Sequence, residues 1–234
     1  MNKMPLSERL IFALDVPNIE KARCLVEELG DAVIFYKIGL ELMMSGDYFK
    51  LLDWLILNNK KVFVDLKFFD IPATVASAVY QLKDRGAHYV TVHGNQAIME
   101  AAASVKGNSL KVLAVTVLTS LDRGDLDDLG FACEIDKLVL SRARRAFESG
   151  CDGVISSGLE VSKLRESISN KLLVVTPGIR PVENRLDGDQ KRVVTIKQAF
   201  SNGADQIVIG RPIRDANSPR AVAESIQLEI ASIF

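Results

Sequence analysis

The charged residues most able to do chemistry are two acids and two lysines that follow apolar runs. The segment DLKFFD (65–70) directly follows one such run. Asp65 and Lys67 are two residues apart, so on a strand both side chains point to the same side. Asp15 and Lys37, in two earlier runs, can complete an alternating array of charges. Carboxylates favour the ammonium form of a neighbouring lysine, and an ammonium can stabilise negative charge and donate a proton.

A second group of residues has the chemistry of a phosphate site. Gly178 and Arg180 follow one late apolar run, and Gly210 and Arg211 follow the last. Glycine allows backbone N–H groups to approach a phosphate closely, and arginine adds charge-assisted hydrogen bonds. A single glycine–arginine pair is often only a turn, just as a single acid–lysine pair is often structural. The combination of both groups favours a functional site.

The elements that must position these residues recur along the chain as eight apolar runs separated by amphipathic helical patterns. Near-continuous Val, Ile and Leu runs are typical of strands buried on both faces. Such an alternation in 234 residues predicts an α/β fold, a (β/α)8 TIM barrel, as a single domain over residues 1–234. An open, doubly wound sheet is the alternative, but the first run lacks the Gly-rich turn of a dinucleotide site. The runs are 10–14, 32–38, 61–66, 88–92, 110–118, 153–156, 172–176 and 206–210.

In a barrel of this kind, catalytic groups lie at the C-terminal ends of the strands, which would bring the two groups of residues together. The stretches 118–130 and 177–192 are predicted as long loops at that end, where long loops are usually functional. His93 ends the fourth strand. It either lines the mouth of the barrel or is a hydrogen-bonded structural histidine.

Composition argues against several classes of protein. A net charge of −1 offers no basic field for nucleic acid or an anionic membrane. No apolar segment reaches the ~20 residues of a membrane helix. Cys24, Cys133 and Cys151 are scattered, which argues against disulfides and a zinc site and favours a reducing cytoplasm. No cluster of metal ligands is visible, so neither a metal nor another cofactor is expected.

Six segments closely resemble the bacterial orotidine 5'-phosphate decarboxylase family, in the family's order and over nearly the whole chain. The resemblance implies decarboxylation of orotidine 5'-phosphate to UMP and CO2, the last step of de novo pyrimidine nucleotide synthesis, without a cofactor. The segments are FALDV (12–16), FYKIGLEL (35–42), VFVDLKFFDIPATV (62–75), TVLTS (116–120), VVTPGIRP (174–181) and IVIGRPI (207–213).

The resemblance also implies roles for the charged array. Lys67 matches the proton-donating lysine, and Asp65 matches the carboxylate placed against the leaving carboxylate. Lys37 matches the lysine that links the array to the ribose, and Asp15 the acid that binds a ribose hydroxyl. Asp70 matches a residue that completes the active site of the other subunit of a homodimer.

Further positions match residues that hold the substrate. Thr74 accompanies Asp70 at the shared site, and Thr119 and Ser120 lie near the base. Gln190 matches a closing-loop glutamine that contacts phosphate and base. The remaining substrate-binding positions, in the phosphate-binding segments, are Pro177, Arg180, Gly210 and Arg211.

Two other functions compete with this hypothesis. A sugar-phosphate decarboxylase or aldolase of the same barrel superfamily, such as a 3-keto-gulonate-6-phosphate decarboxylase or a hexulose-phosphate synthase, shares the Asp-x-Lys-x-x-Asp strand but needs a divalent metal. A nucleotide-binding regulator that has lost turnover would lack a member of the array, and here all four members are present.

Overall fold

The structure is a computed structural model that describes residues 4–180 and 192–234. Its strands agree with the eight apolar runs of the sequence, with ends that differ by a few residues. They are β1 (Leu10–Ala13), β2 (Phe35–Ile38), β3 (Lys61–Phe68), β4 (Tyr89–His93), β5 (Lys111–Val115), β6 (Gly153–Ile155), β7 (Leu173–Thr176) and β8 (Gln206–Ile209).

The eight strands form a closed parallel barrel in which each strand pairs with the next along the chain. Strand β1 closes the circle: Ile11 lies opposite Phe35 on β2 and opposite Val208 on β8. Pairing of β1 with β8 leaves no edge strand, so the predicted (β/α)8 TIM barrel is confirmed and the open sheet is excluded.

Helices follow the strands and cover the outside of the barrel. Local signals start two of them: the Asn18 side chain accepts a 2.9 Å hydrogen bond from the Lys21 N–H, and Pro72 occupies a first-turn position. The helices are α1 (Ile19–Leu29), α2 (Leu40–Met44), α3 (Tyr48–Leu57), α4 (Pro72–Lys83), α5 (Gln96–Val105), α6 (Arg123–Asp128), α7 (Ile135–Glu148), α8 (Val161–Ser167), α9 (Ile196–Ser201), α10 (Arg211–Arg214) and α11 (Pro219–Ile233), with 3-10 turns at Leu6–Glu8 and Gly30–Ala32.

Apolar side chains pack on both faces of the strands. On β1, Ile11 and Ala13 belong to the cluster inside the barrel, whereas Leu10 and Phe12 belong to the cluster between strands and helices. This division follows from the alternation of side chains along a strand. With both faces packed, polar groups concentrate at the two ends of the barrel. The inner cluster is Ile11, Ala13, Phe35, Phe63, Tyr89, Leu113, Val175 and Val208.

The stretch 118–130, expected to be a loop, contains helix α6, so that prediction was wrong. The Asp122 side chain accepts from the Asp125 N–H at 3.1 Å, and the Asp125 side chain accepts from the Asp122 N–H at 2.7 Å. This reciprocal capping box satisfies two N–H groups that a short helix would otherwise leave unpaired. The density of Asp and Gly in the stretch suggested a turn and concealed the cap.

The second expected loop, 177–192, is described only at its two ends, since residues 181–191 lie outside the described ranges. Ile179, near its start, forms a parallel bridge with Val194, two residues beyond its end. The bridge brings the start and the end of this connection to the same side of the barrel.

The described part of the chain contains neither a candidate membrane helix nor a disulfide. Within 4–180 and 192–234, no helix combines the length and the apolar character needed to cross a membrane. Cys24, Cys133 and Cys151 are all free thiols, and burial raises the pKa of Cys151 to about 12.

Candidate active site

A cavity of about 410 Å³ opens at the C-terminal ends of the strands. Most of the site residues predicted from the sequence lie in its wall, contributed by strands on opposite sides of the barrel. They are Asp15, Lys37, Asp65, Lys67, Thr119, Ser120, Pro177, Arg180, Gly210 and Arg211.

The four predicted array members form a continuous chain of alternating charge. Lys37 Nζ lies 3.0 Å from Asp15 Oδ1 and 3.4 Å from Asp65 Oδ2. Lys67 Nζ lies 3.0 Å from the same Asp65 oxygen. The Asp65 and Lys37 side chains are only 11% and 12% exposed, whereas about a third of the Lys67 side chain and two-fifths of the Asp15 side chain are exposed on the cavity side. Lys67 is therefore the ammonium that a bound molecule can reach.

An irregularity in β3 sets the position of Lys67. The register of β3 against β4 shifts between Val64 and Phe68, and Lys67 has a φ of +49°. A non-glycine residue in this left-handed region is strained, and such strain is typical of functional positions. Asp65 and Lys67 do meet as expected, but through a bulged strand end and not through a regular strand.

Thr91, in the middle of β4, supports both residues and was missed by the sequence reasoning. Its hydroxyl donates to Asp65 Oδ1 at 2.8 Å and accepts from the Lys67 backbone N–H at 2.9 Å. One fully buried side chain thus orients the carboxylate and holds the bulge. A polar residue within the apolar run YVTVH was the available signal.

The array keeps its charges despite burial. Burial by itself would raise the pKa of Asp65, but Lys37 and Lys67, with hydrogen bonds from Lys67 and Thr91, lower it below its ordinary value. Burial likewise opposes the charged form of Lys37, but Asp65 and Asp15 raise its pKa above the ordinary value. The buried pair is therefore ionised near neutral pH.

On the other side of the cavity, two glycine–arginine segments meet. Gly178 has a φ of +74°, a conformation that favours glycine. Gly210 precedes helix α10, and a Cβ at this position would lie 3.3 Å from the Ala13 side chain. Arg180 and Arg211 line the same wall, so backbone and guanidinium donors of both segments border one space.

Arg214, also in this wall, was not predicted. Its Nη1 donates to the Asp15 backbone oxygen at 2.8 Å, and its guanidinium pairs with the Asp215 carboxylate through contacts of 2.6 and 2.9 Å. It ties the helix after β8 to the segment that follows β1 and carries Asp15. Its position three residues after Arg211 on a helix was the signal that could have found it.

The third part of the wall follows β5 and is mainly apolar. Thr119 is buried and Ser120 is partly exposed. Flat apolar surface next to a few hydroxyls suits a planar, partly polar ring. The apolar lining beside them is Val115, Val117, Leu118 and Ile155.

Four other positions named in the sequence analysis do not line this cavity or lie outside the described residues. Asp70 and Thr74 are exposed on the loop and the helix that follow β3, and Asp70 Oδ1 accepts from the Ile71 N–H at 2.6 Å. Gln190 lies outside the described residues. His93, left open by the sequence, is hydrogen-bonded to Asn95 at 2.9 Å and stacks on Phe69 with ring centroids 4.3 Å apart. These contacts favour the structural alternative for His93.

Together, the cavity offers a reachable ammonium beside carboxylates at one end and several anion donors at the other. Such a cavity can bind a phosphorylated molecule with a planar ring and stabilise a carbanion formed on it. Among the described residues, no group of three or more His, Cys, Asp or Glu side chains is arranged to hold a metal ion. The fold and the site define a (β/α)8-barrel enzyme with a lysine–aspartate array.

Comparisons with known proteins give the particular family. Residues 8–226 match the family model described as "Orotidine 5'-phosphate decarboxylase / HUMPS family", and the chain belongs to this family. It is 65% identical over 231 residues to the orotidine 5'-phosphate decarboxylase of Methylococcus capsulatus, covering 99% of this chain and 95% of that protein. It is 50% identical to that of Stenotrophomonas maltophilia, with 99% and 98% covered.

A solved structure gives the same result at the level of the fold. The crystal structure of orotidine 5'-phosphate decarboxylase from Lactobacillus acidophilus is similar with a TM-score of 0.83 and 36% identity. The similarity covers 95% of this chain and 99% of that chain.

Proposed function

We propose that this chain decarboxylates orotidine 5'-phosphate to UMP and CO2, the last step of de novo pyrimidine nucleotide synthesis. The observation that carries the proposal is the Asp15–Lys37–Asp65–Lys67 chain of charges facing a cavity whose opposite wall holds Arg180 and Arg211. The names of relatives at 65% and 50% identity support the same reaction.

In this mechanism, the bond between C6 of the pyrimidine and its carboxylate breaks, and the electron pair stays on C6. The Lys67 ammonium stabilises that charge and then transfers a proton from Nζ to C6, after which solvent reprotonates the amine. Asp65 faces the leaving carboxylate. Its contacts with Lys37, Lys67 and Thr91 keep it in place, so little reorganisation is needed during the reaction.

The rest of the substrate would lie across the cavity. Phosphate binds to Arg180, Arg211 and the N–H groups near Gly210, the ribose hydroxyls to Asp15 and Lys37, and the base beside Thr119 and Ser120. Pro177 borders the base and phosphate segments, and Gln190 contributes the closing contact that the family resemblance implies. Binding energy from the remote phosphate can be used to hold the reacting ring in position.

A homodimer with shared active sites is part of the proposal. Asp70 and Thr74 are exposed outside their own cavity, as residues that serve a partner's site would be in the isolated chain. Phe69 and Ile71, on either side of Asp70, are 65% and 66% exposed. Adjacent exposed apolar side chains suit an interface, and a two-fold axis would place one Asp70 at each site.

The test follows the absorbance of orotidine 5'-phosphate with purified protein, before and after exhaustive chelation with EDTA. We expect full turnover in both cases, because Lys37 and Lys67 already supply the positive charge. Loss of activity that added Mg²⁺ restores would instead favour the metal-dependent sugar-phosphate enzyme. Binding of UMP without any turnover would favour the nucleotide-binding regulator.

A further inference from the structure

A buried ion pair outside the charged array lies behind the cavity wall. Arg192 Nη1 contacts Glu160 Oε1 at 2.7 Å, and the two side chains are only 10% and 8% exposed. Glu160 precedes helix α8, and Arg192 lies in the stretch that leads to helix α9. Neither residue lines the cavity, and neither carries a role in the reaction proposed above.

The other half of the Arg192 guanidinium holds the backbone after β5. Its Nη2 donates to the carbonyl oxygens of Val117 and Leu118, each at 3.0 Å. These two residues directly precede Thr119 and Ser120, which line the cavity. The arginine therefore fixes the chain at the point where the base-side wall begins.

The same stretch of chain is also tied to the phosphate-side wall. The Val194 N–H donates to the Gly178 oxygen at 3.1 Å, and the Arg180 N–H donates to the Val194 oxygen at 3.0 Å. Arg192, two residues before Val194, thus connects the wall that carries Arg180 with the wall that carries Thr119.

This buried ion pair is not expected to increase the stability of the fold over that of an apolar pair. Removing two charges from water is costly, and apolar replacements of a buried pair are often neutral or stabilising. Arg192 Nε and Glu160 Oε2 are buried without hydrogen-bond partners, which adds to the cost. Burial raises the pKa of Glu160 above its ordinary value, although the contact with Arg192 opposes this shift. The raised pKa also means that the charged form of Glu160 is costly in this position. What the pair supplies is a fixed geometry for two backbone carbonyls.

We propose that Arg192, oriented by Glu160, is a positioning residue that places Thr119 and Ser120 for substrate binding. The inference rests on the proposed function of the cavity and adds a residue to it. Because the array on β1–β3 makes no contact with this pair, its loss acts mainly on substrate affinity. Loss of hydrogen bonds from Thr119 and Ser120 to the substrate weakens binding by roughly 10- to 100-fold.

The decisive variant replaces both members, Arg192→Met with Glu160→Leu, so that no unpaired charge stays buried. We expect a Tm close to that of the wild type and a KM for orotidine 5'-phosphate raised about 10- to 100-fold, with a smaller fall in kcat. The Kd for UMP, measured by calorimetry, should weaken by a similar factor. Arg192→Lys keeps the charge but cannot donate to three acceptors in a fixed plane, so it should restore only part of the affinity.

Arg165→Met is the matched control. Arg165 also joins a carboxylate, Asp205 at 2.6 Å, to backbone carbonyls, but at the opposite end of the barrel; the carbonyls are those of Ser169, Leu172 and Gly203. It should lower Tm and leave KM unchanged. If the double variant of Arg192 and Glu160 has the KM and Kd of an active wild type, the positioning role is wrong, but the proposed function stands. A wild-type protein that neither converts orotidine 5'-phosphate nor binds UMP would overturn the proposed function itself.

Discussion

The two ends of the barrel use the same residue types in different ways. At the N-terminal ends of the strands, Lys106 pairs with Asp152 and Arg165 pairs with Asp205, each at 2.6 Å. In both pairs, the carboxylate also accepts a 2.8 Å hydrogen bond from the backbone of the neighbouring strand. The donors are the N–H groups of Val112 and Val174.

At the C-terminal ends, the central carboxylate is held by side chains. Asp65 Oδ2 is shared by Lys37 and Lys67, and Oδ1 accepts from the Thr91 hydroxyl. The backbone here is bent by a bulge and by the left-handed conformation of Lys67.

Ion pairs of the same residue types therefore stabilise the fold at one end of the barrel and hold a reactive group at the other. A carboxylate that accepts from a backbone N–H of the neighbouring strand connects the two strands, and its contacts stabilise the fold. A carboxylate bound to side chains orients ammonium groups toward a cavity and leaves one of them reachable. This division agrees with the general rule that residues at the N-terminal ends of barrel strands serve stability, whereas those at the C-terminal ends serve catalysis.

The largest expected difference between the two ends is in turnover. Lys67→Ala should abolish measurable decarboxylation, since general acid catalysis alone contributes roughly 10²- to 10⁴-fold. Lys106→Ala, at the other end, should leave kcat/KM unchanged and lower the free energy of unfolding. Rates come from an absorbance assay and stability from urea unfolding. Substantial turnover in Lys67→Ala would remove this residue from the acid role.

A smaller effect is expected at the phosphate side of the same end. Arg211→Ala should lower kcat/KM for orotidine 5'-phosphate by roughly 10- to 100-fold, as expected for loss of a charge-assisted hydrogen bond. The unphosphorylated nucleoside orotidine, a poor substrate, should react at nearly the wild-type rate. Equal losses on both substrates would mean that Arg211 is structural.

In the proposed dimer, the reactive end of each barrel is completed by Asp70 of the other chain. Lys67→Ala and Asp70→Ala homodimers should each be nearly inactive, whereas in their heterodimer one site carries both defects and the other carries neither. Random remixing makes half of the dimers mixed, so roughly a quarter of all sites should regain wild-type activity. Exchanged subunits without recovered activity would show that Asp70 acts within its own chain.

The sequence predicted the barrel well because each strand signal is local. Runs of apolar residues mark β1 to β8 within a few positions, and polar residues at their ends marked the cavity. Helix α6 was missed, although its D-x-x-D cap is also local, because Gly124 and two further acids, Asp127 and Asp128, suggested a turn.

The supporting residues could not be predicted because their partners are distant in sequence. Thr91 meets Asp65 across 26 positions, and Arg192 meets Glu160 across 32. Arg192 was not singled out because its function depends on backbone carbonyls, which leave no mark in the sequence. The bulge before Phe68 could not be predicted either, because the alternation of a regular strand already puts Asp65 and Lys67 on the same side.

The smallest effect tests whether the reactive end is strained. Two left-handed residues flank the length of β3: Lys67 lies at its C-terminal end, with a φ of +49°, and Asn59 lies in the turn before its first residue, with a φ of +56°. The left-handed conformation costs an alanine about 1–2 kcal/mol, and glycine loses about 0.4–1 kcal/mol of this advantage through its freer unfolded chain. Lys67→Gly should therefore be more stable than Lys67→Ala by roughly 0.5–1 kcal/mol, with both variants inactive. Asn59→Gly against Asn59→Ala calibrates the difference in urea unfolding at a position remote from the cavity. If glycine gains stability over alanine at 59 but not at 67, the strand end relaxes when the lysine is removed, and the strain at Lys67 comes from its array contacts and not from the fold.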